Sequence, residues 1–457
     1  MEPVSGVVVV GGGPAGMMAA VQAAAGGART VLLEKKDRLG LKLGISGKGR
    51  CNLTNWTDVE GLVQGIPGNG RFLYSAFANF GPPDLVSFLD KLGVPTVVER
   101  GRRMFPVSNR ALDVVRALKG AVAAAGVKVR TVAPVAGLLP PASDGGTWVV
   151  VTAGGERFQG HAVVLATGGA SYPATGSTGD GYRLAAGVGH RIVEPRPSLV
   201  PMICAEEFVA ALAGLTLENV QVTLVAGDGA GKAAKTGLGV SLFGDLLFTH
   251  FGVSGPTVLS LSRALATGRI PLPAVLSIDL KPALSLEQLD ARLLRDFGAE
   301  TRRQYKNALG GLLPRSLIPV IIGLSHIPPE KPVHQITRSE RERLARLLKG
   351  MRLTVTATRS WEEAVVTTGG VDVGQVDPRT MESRLCPGLF FAGEVLDVDG
   401  FTGGYNLQAA FSTGHLAGRV AARKALSQAH KAPGLGHTSV GEGTREGWGV
   451  APFPFLR

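Results

Sequence analysis

The chain has 457 residues, of which 45% are hydrophobic, and a formal net charge of +12. That length exceeds one ordinary core and predicts two or three domains, while the hydrophobic fraction excludes a disordered chain. Only Cys51, Cys204 and Cys386 occur, without a Cys-x-x-Cys pair, which argues against a disulfide framework, a zinc site and a dithiol relay; no metal ligand set is expected.

No uninterrupted apolar run reaches the length of a membrane span, and the chain enters a strand almost at once. A cytoplasmic protein without a signal peptide is therefore expected. The positive charge suits anionic ligands or nucleic acid, and it equally suits a chain that is simply rich in arginine.

The first predicted element is a buried parallel strand, Val7 to Val10, followed by Gly11-Gly12-Gly13-Pro14-Ala15-Gly16, a G-x-G-x-x-G turn. Met17, Ala20, Val21 and Ala24 then recur at the spacing of one helix face until Gly26 and Gly27. A second strand, Thr30 to Leu33, ends in Glu34. Strand, turn, helix, strand and terminal acid in register form a dinucleotide-binding unit. Gly11 allows the tight turn, Gly13 admits a pyrophosphate close to the backbone, and Gly16 lets the helix pack on the strand. Glu34 can accept from a ribose hydroxyl and would repel a ribose phosphate, which favours FAD or NAD over NADP in this unit.

Residues 40 to 55 show neither helical nor strand period and are dense in glycine, base and small polar residues. As a loop after the second strand, they can lay backbone N–H groups, Lys42 and Arg50 along a diphosphate and ribityl chain. Ser46, Gly47, Gly49, Cys51 and Asn52 belong to the same loop, Cys51 as a small packed residue beside the ligand and not as a redox thiol. Residues 81 to 92 and 109 to 125 read as helices, the second capped by Asn109 with Leu112, Val115, Leu118 and Val122 as its buried stripe. Between them, Arg102 and Arg103 either line a pocket or are merely solvated. A strand is expected over Val127 to Val132, with Val135 beyond it placed for backbone contact with an adenine, and a hairpin-like meander over 147 to 158. The apolar strand Ala162 to Leu165 runs through Ala166 into Thr167, Gly168 and Gly169, a second meeting of the sheet's carboxyl edge with the ligand.

From about Pro195 the pattern changes to alternating strands, with Gly227-Asp228-Gly229 among the turns, and then to helices from about 285 to 350. Ser285 with Gln288, and Thr337 with Glu340, have capping-box spacing. Arg338, Arg341, Arg343 and Arg346 mark either an exposed face or a contact to RNA or an acidic substrate. His250, in Leu246 to Pro256, is either a general acid or a hydrogen-bonded structural residue. The chain then returns with Val365 to Gly370, the turns holding Gly393, Glu394, Gly404 and Tyr405, and an apolar helix from Asn406 to Val420. The N-terminus of that helix suits negative charge on a reduced flavin.

These stretches resemble the BaiN-like FAD-binding flavoproteins, NAD(P)/FAD-dependent oxidoreductases also described as aminoacetone-oxidase-like, and more distantly the flavoprotein subunit of fumarate reductase. The resemblance rests on Gly11 to Gly16, Ile45 to Gly47 with Gly49 to Asn55, Met104 to Pro106, Ala166 to Gly169 through Gly181, Leu246 to Pro256 and Gly388 to Gln408. It implies a glutathione-reductase-like Rossmann FAD-binding domain of the α/β class, with an inserted β-barrel-like domain and a small helical domain. The corresponding boundaries are 1–194 with 356–426, then 195–284 and 285–355, leaving 427–457 as a disordered tail. It also implies FAD contacts at Ala15, Glu34, Lys35, Lys42, Gly47, Arg50, Asn52, Val135, Glu394, Asn406 and Leu407. Leu41 departs from the pattern, since relatives usually carry a basic residue there.

The resulting expectation is an FAD-dependent oxidoreductase that takes hydride from transiently bound NAD(P)H and reduces an activated C=C bond of a small apolar substrate. A flavin amine oxidase using oxygen and a flavin-dependent RNA-modifying or RNA-binding protein are the alternatives.

Overall fold

The computed structural model describes residues 5–429 apart from 144 and 228–238. Contacts divide the chain into two compact units: one holds the described residues up to Gly169, Ala174–Glu194 and the chain from Gly369, and the other holds Ala170–Pro173 and Pro195–Thr368.

The first unit is organised by a seven-stranded sheet. Four successive strands, Lys128–Arg130 at the edge, then Thr30–Leu33, Ser5–Val10 and Arg157–Leu165, run parallel. Val7, Val8 and Val9 are fully buried, as a central strand covered on both faces requires. The expected hairpin-like meander forms, but its second arm and the strand expected after it are one long element, Arg157–Leu165. Its first half pairs antiparallel with Trp148–Thr152, and its last three residues pair parallel with Leu389–Phe391. That exchange of partners brings the end of the chain back beside its beginning.

Helix Pro14–Ala25 packs against Tyr405–Ala429 with almost no side chain between them. A Cβ at Gly414 would lie 2.3 Å from the Ala15 carbonyl oxygen, and one at Gly418 would lie 2.3 Å from that of Ala19. The small-residue spacing is what allows this approach, and it extends the last helix well beyond the expected Val420. Residues 427–429 of the expected tail are therefore helical; the rest of it lies outside the described residues, as does the Asp228-Gly229 turn.

Three other expectations are corrected. The segment after Glu34 contains helix Leu41–Ile45, a 3-10 turn at Ser46–Gly49 and the short strand Thr54–Asn55, because its backbone is organised by neighbours that no periodicity records. The helix Ala111–Ala124 is preceded by Arg110, and Asn109 adopts φ 54° with its side chain turned to Arg50. Leu112 is 57% exposed, and Val114 joins Val115, Leu118 and Val122 in the buried stripe. The strand expected over Val127 to Val132 is shortened to Lys128–Arg130.

The second unit contains a closed antiparallel barrel of Met202–Cys204, Gly252–Ser254, Val240–Thr249, Thr216–Ala226, Ala274–Asp279 and Met351–Thr358. Alternation puts Val222, Leu224, Leu276 and Ile278 inside. Both capping boxes form, opening Leu286–Ala299 and Arg338–Lys349. The arginine-rich helix is a strut. Arg341 grips Asp290 with two hydrogen bonds of 2.7 and 3.0 Å, and Arg343 donates to the Ser325 carbonyl at 2.8 Å, while Arg338 and Arg346 pair with Glu342 outside.

Candidate active site

At the carboxyl edge of the first unit's sheet, Gly11 adopts φ 107°, and a Cβ there would lie 2.4 Å from the Ala166 carbonyl oxygen. The glycine thus lets two adjacent parallel strands end side by side. A Cβ on Gly16 would lie 1.8 Å from the Gly11 carbonyl oxygen, so the helix can start only with hydrogen at that position. Gly13 differs from both: a Cβ there would meet nothing within 4 Å. Open space over the first turn of Pro14–Ala25, with that turn's unpaired N–H groups, is what a pyrophosphate needs.

Glu34 closes the turn. Its carboxylate accepts from the Gly12 N–H at 2.7 Å and the Lys36 N–H at 2.8 Å. A carboxylate offers about four lone-pair sites, so this use leaves capacity for a ribose hydroxyl. The Thr167 hydroxyl, on the loop after Arg157–Leu165, is buried without a hydrogen-bond partner in the structure. The open floor at Gly13, the acid at Glu34 and this unsatisfied hydroxyl fit an adenine dinucleotide cofactor such as FAD.

The other candidates converge on the same edge. A Cβ on Gly393 would lie 2.9 Å from Ala15 Cβ, and Gly393 N–H donates to Thr413 Oγ1 at 2.9 Å. Glu394 pairs with Lys42 at 2.7 Å, tying the turn after Leu389–Phe391 to helix Leu41–Ile45. A Cβ at Gly404 would lie 2.3 Å from the backbone of Thr54, which brings the segment of Gly47, Gly49 and Asn52 to the start of Tyr405–Ala429. Val135 begins Val135–Leu139, and its carbonyl accepts from Arg183. Lys35 Nζ meets Asp180 at 2.5 Å. Partial burial pushes the Asp180 carboxyl up, but the Lys35 hydrogen bond and charge, with Thr178 and Arg183, outweigh it and hold the carboxyl below its usual range.

Some candidate side chains are already engaged. The Arg50 guanidinium is held by Glu99 and Asn109 and lies 4.2 Å from the Phe105 ring centre, so a ligand contact would come in addition to that network. Asn406 accepts from the Gly400 N–H at 2.7 Å and donates to the Gly400 carbonyl at 2.9 Å, clamping the preceding loop. Leu407 is half-buried on the same turn. Cys51 is fully buried, and desolvation pushes its thiol up to about 12, so it is a packing residue in the protonated form. His250 belongs to the second unit, exposed in the turn after Val240–Thr249 with its ring edge-on to Phe251 at 4.9 Å.

Sequence reasoning missed the Lys42–Glu394 and Lys35–Asp180 pairs, which join residues 352 and 145 positions apart. It also missed Asn55, whose amide donates to the carbonyls of Gly101 at 3.1 Å and Gly403 at 3.2 Å. The one available signal was Gly414-x-x-x-Gly418, a small-residue spacing that marks a close helix crossing.

The family model described as the HI0933-like protein Rossmann domain matches residues 5–420. The chain is 32% identical over 398 residues to the 3-dehydro-bile acid delta(4,6)-reductase of Clostridium scindens, covering 87% of this chain and 93% of that protein. It is 32% identical to the ribosomal RNA dihydrouridine synthase of Escherichia coli, over 84% of this chain and 90% of that one. Among solved structures, the chain is similar to the 3-ketosteroid-delta4-(5alpha)-dehydrogenase of Rhodococcus jostii at 16% identity, with a TM-score of 0.44 and coverage of 92% of this chain and 97% of that one. The chain belongs to the HI0933-like family and is an FAD-dependent oxidoreductase.

Proposed function

We propose that this oxidoreductase reduces a C=C bond conjugated to a carbonyl in a small apolar molecule, with NAD(P)H as a transient co-substrate. The observation that carries this reading is the 32% identity to a delta(4,6)-reductase along nearly the whole of both chains. One glycine fingerprint serves one resident dinucleotide, which leaves a nicotinamide to bind only in passing. Bound FAD supplies the two-electron carrier.

The chain's own residues then have defined tasks. Gly11, Gly13, Pro14, Ala15 and Gly16 would shape the turn that offers the first free N–H groups of the helix to the pyrophosphate, and Glu34 would accept from the ribose. Lys42 and Glu394, paired with each other, would hold the ribityl portion of the cofactor, and Lys35, Ser46, Gly47, Gly49, Asn52 and Val135 would hold the rest of it. Thr167, Gly168, Gly169 and Gly393 would meet the cofactor at the strand ends, and Gly404, Tyr405, Asn406 and Leu407 would set a helix N-terminus where it favours negative charge. His250 is the candidate proton donor, on the chemistry of imidazole alone.

The relation to an RNA dihydrouridine synthase supports a second reading, reduction of the C5=C6 bond of uridine in RNA, which is the same bond class on a polyanionic substrate. One experiment separates the two. NADH and then NADPH are added anaerobically to the flavin-loaded protein while the visible spectrum is followed, and acceptors are then offered. Bleaching followed by reoxidation with a 3-oxo-4,6-diene steroid supports the first reading. Reoxidation only by a uridine-containing ribosomal RNA fragment, with dihydrouridine as product, replaces it with the second. A flavin band that neither nucleotide bleaches, but that amines do, would overturn both in favour of an oxidase.

A further inference from the structure

We propose that the hairpin tip Arg100–Arg103 is an anion-selecting rim of the candidate active site and recognises a phosphate or carboxylate carried by the substrate. This rests on the reductase reading of that site and adds a substrate class to it.

The tip connects strands Thr96–Glu99 and Arg103–Pro106, which pair antiparallel with Glu99 opposite Arg103. Its position is set by Asn55. One amide group donates to Gly101 in the tip and to Gly403 at the mouth of helix Tyr405–Ala429, so tip and helix mouth are fastened to the same side chain. Arg102 lies close enough for its charge to act on the Tyr405 hydroxyl, opposing the rise that burial imposes there.

Within the tip Arg100 and Arg102 are exposed, and the adjoining acid, Glu99, is paired with Arg50. Arg103 is committed to the scaffold, donating from Nε to the Arg100 carbonyl at 3.0 Å. Among the described residues no carboxylate pairs with Arg102. Its backbone carbonyl accepts from the N–H of Trp56 at 2.7 Å, which ties the tip to the chain leaving Asn55.

Arg102 sits at φ 59°, directly after Gly101 at φ 75°. Glycine takes that conformation freely, and a residue with a Cβ takes it at a conformational cost, so a glycine is accommodated at this position.

Arg102→Gly therefore removes the charge and relieves the strain in one step, and Arg102→Lys keeps the charge. The flavin-loaded protein is titrated calorimetrically, in about 50 mM salt, with two probes: a uridine hexanucleotide and the steroid carboxylate cholate. The expected result is binding of at least one probe by the unaltered protein, weakened about tenfold in Arg102→Gly and retained in Arg102→Lys, with the melting temperature of the glycine variant unchanged or raised. Binding of the hexanucleotide alone assigns the anion to a nucleic-acid phosphate, and its salt slope in Arg102→Gly falls by about 0.7. Binding of cholate alone assigns it to a small-molecule carboxylate. Failure of both probes on the unaltered protein, or equal binding by Arg102→Gly, overturns the proposal. Because binding is read without turnover, a flavin that NAD(P)H fails to bleach would count against the reductase reading and leave this test standing.

Discussion

The dinucleotide unit and the barrel unit are built under different constraints. In the first, decisive positions are occupied by the smallest residues, because backbone must touch backbone: Gly11 against Ala166, Gly16 against Gly11, Gly414 against Ala15. In the second, side chains do more of the joining, although a Cβ on Gly252 would lie 2.2 Å from the Met202 carbonyl oxygen. Apolar residues fill the barrel, and Arg341–Asp290, Lys331–Glu340 and Lys349–Asp279 fasten helices and strands to one another. Glycine spacing is a specific signal and side-chain packing is a degenerate one. Much of the chemistry was therefore readable in the first unit and little of it in the second.

The comparison breaks most sharply at two glycines three residues apart. Gly16→Ala drives a methyl group into the Gly11 carbonyl and is expected to cost about 3 kcal/mol or more, with loss of flavin; thermal unfolding and the ratio of visible to ultraviolet absorbance report both. Gly13→Ala meets open space, so it should cost only about 0.5–1 kcal/mol while flavin retention falls. Equal destabilisation by the two would mean that Gly13 serves packing and not a ligand.

Glu34→Ala comes next. Two backbone N–H groups lose their acceptor, and we expect a stability loss of about 2 kcal/mol together with weaker flavin retention. A variant that purifies with full flavin occupancy would remove Glu34 from the ribose. His250→Gln, in the other unit, should slow turnover severalfold with flavin fully bound. Unchanged turnover returns His250 to the surface of the barrel unit.

The acid response of the barrel unit should include Glu340. The Lys331 hydrogen bond, with those of Thr337, lowers the Glu340 carboxyl to about 2 from an ordinary value near 4.5. Because the folded value is depressed, this contribution is complete above about pH 4.5 and is lost as pH falls toward 2. Glu340→Gln should therefore lower the unfolding temperature at pH 6 and flatten its dependence on pH in that window. A parallel pH profile would exclude the pair as its source. The smallest effect concerns Cys51. With its thiol pushed up to about 12, it should resist iodoacetamide at pH 8 in the folded protein and react only after denaturation, as peptide mapping would reveal.

The Rossmann strand, turn and helix were legible because parallel-strand burial and the phosphate turn each demand residue types at fixed spacing. The loop after Glu34 was not, since Leu41–Ile45 is stabilised by distant partners such as Glu394 and not by its own periodicity. Asn109 shows the same limit. Its type suits a helix cap, but Arg50, 59 positions away, claims its side chain.

By itself, the sequence determined the dinucleotide fingerprint, the alternation of the barrel strands and the two capping boxes, all of them consequences of short-range geometry with a period of a few residues. Only the tertiary structure decided that Glu394 meets Lys42, that Asn55 fastens the arginine hairpin to the last helix, and that four similar arginines divide between strut and surface. Those outcomes depend on which distant segments share a volume, and that is settled by the packing of whole elements rather than by any local preference.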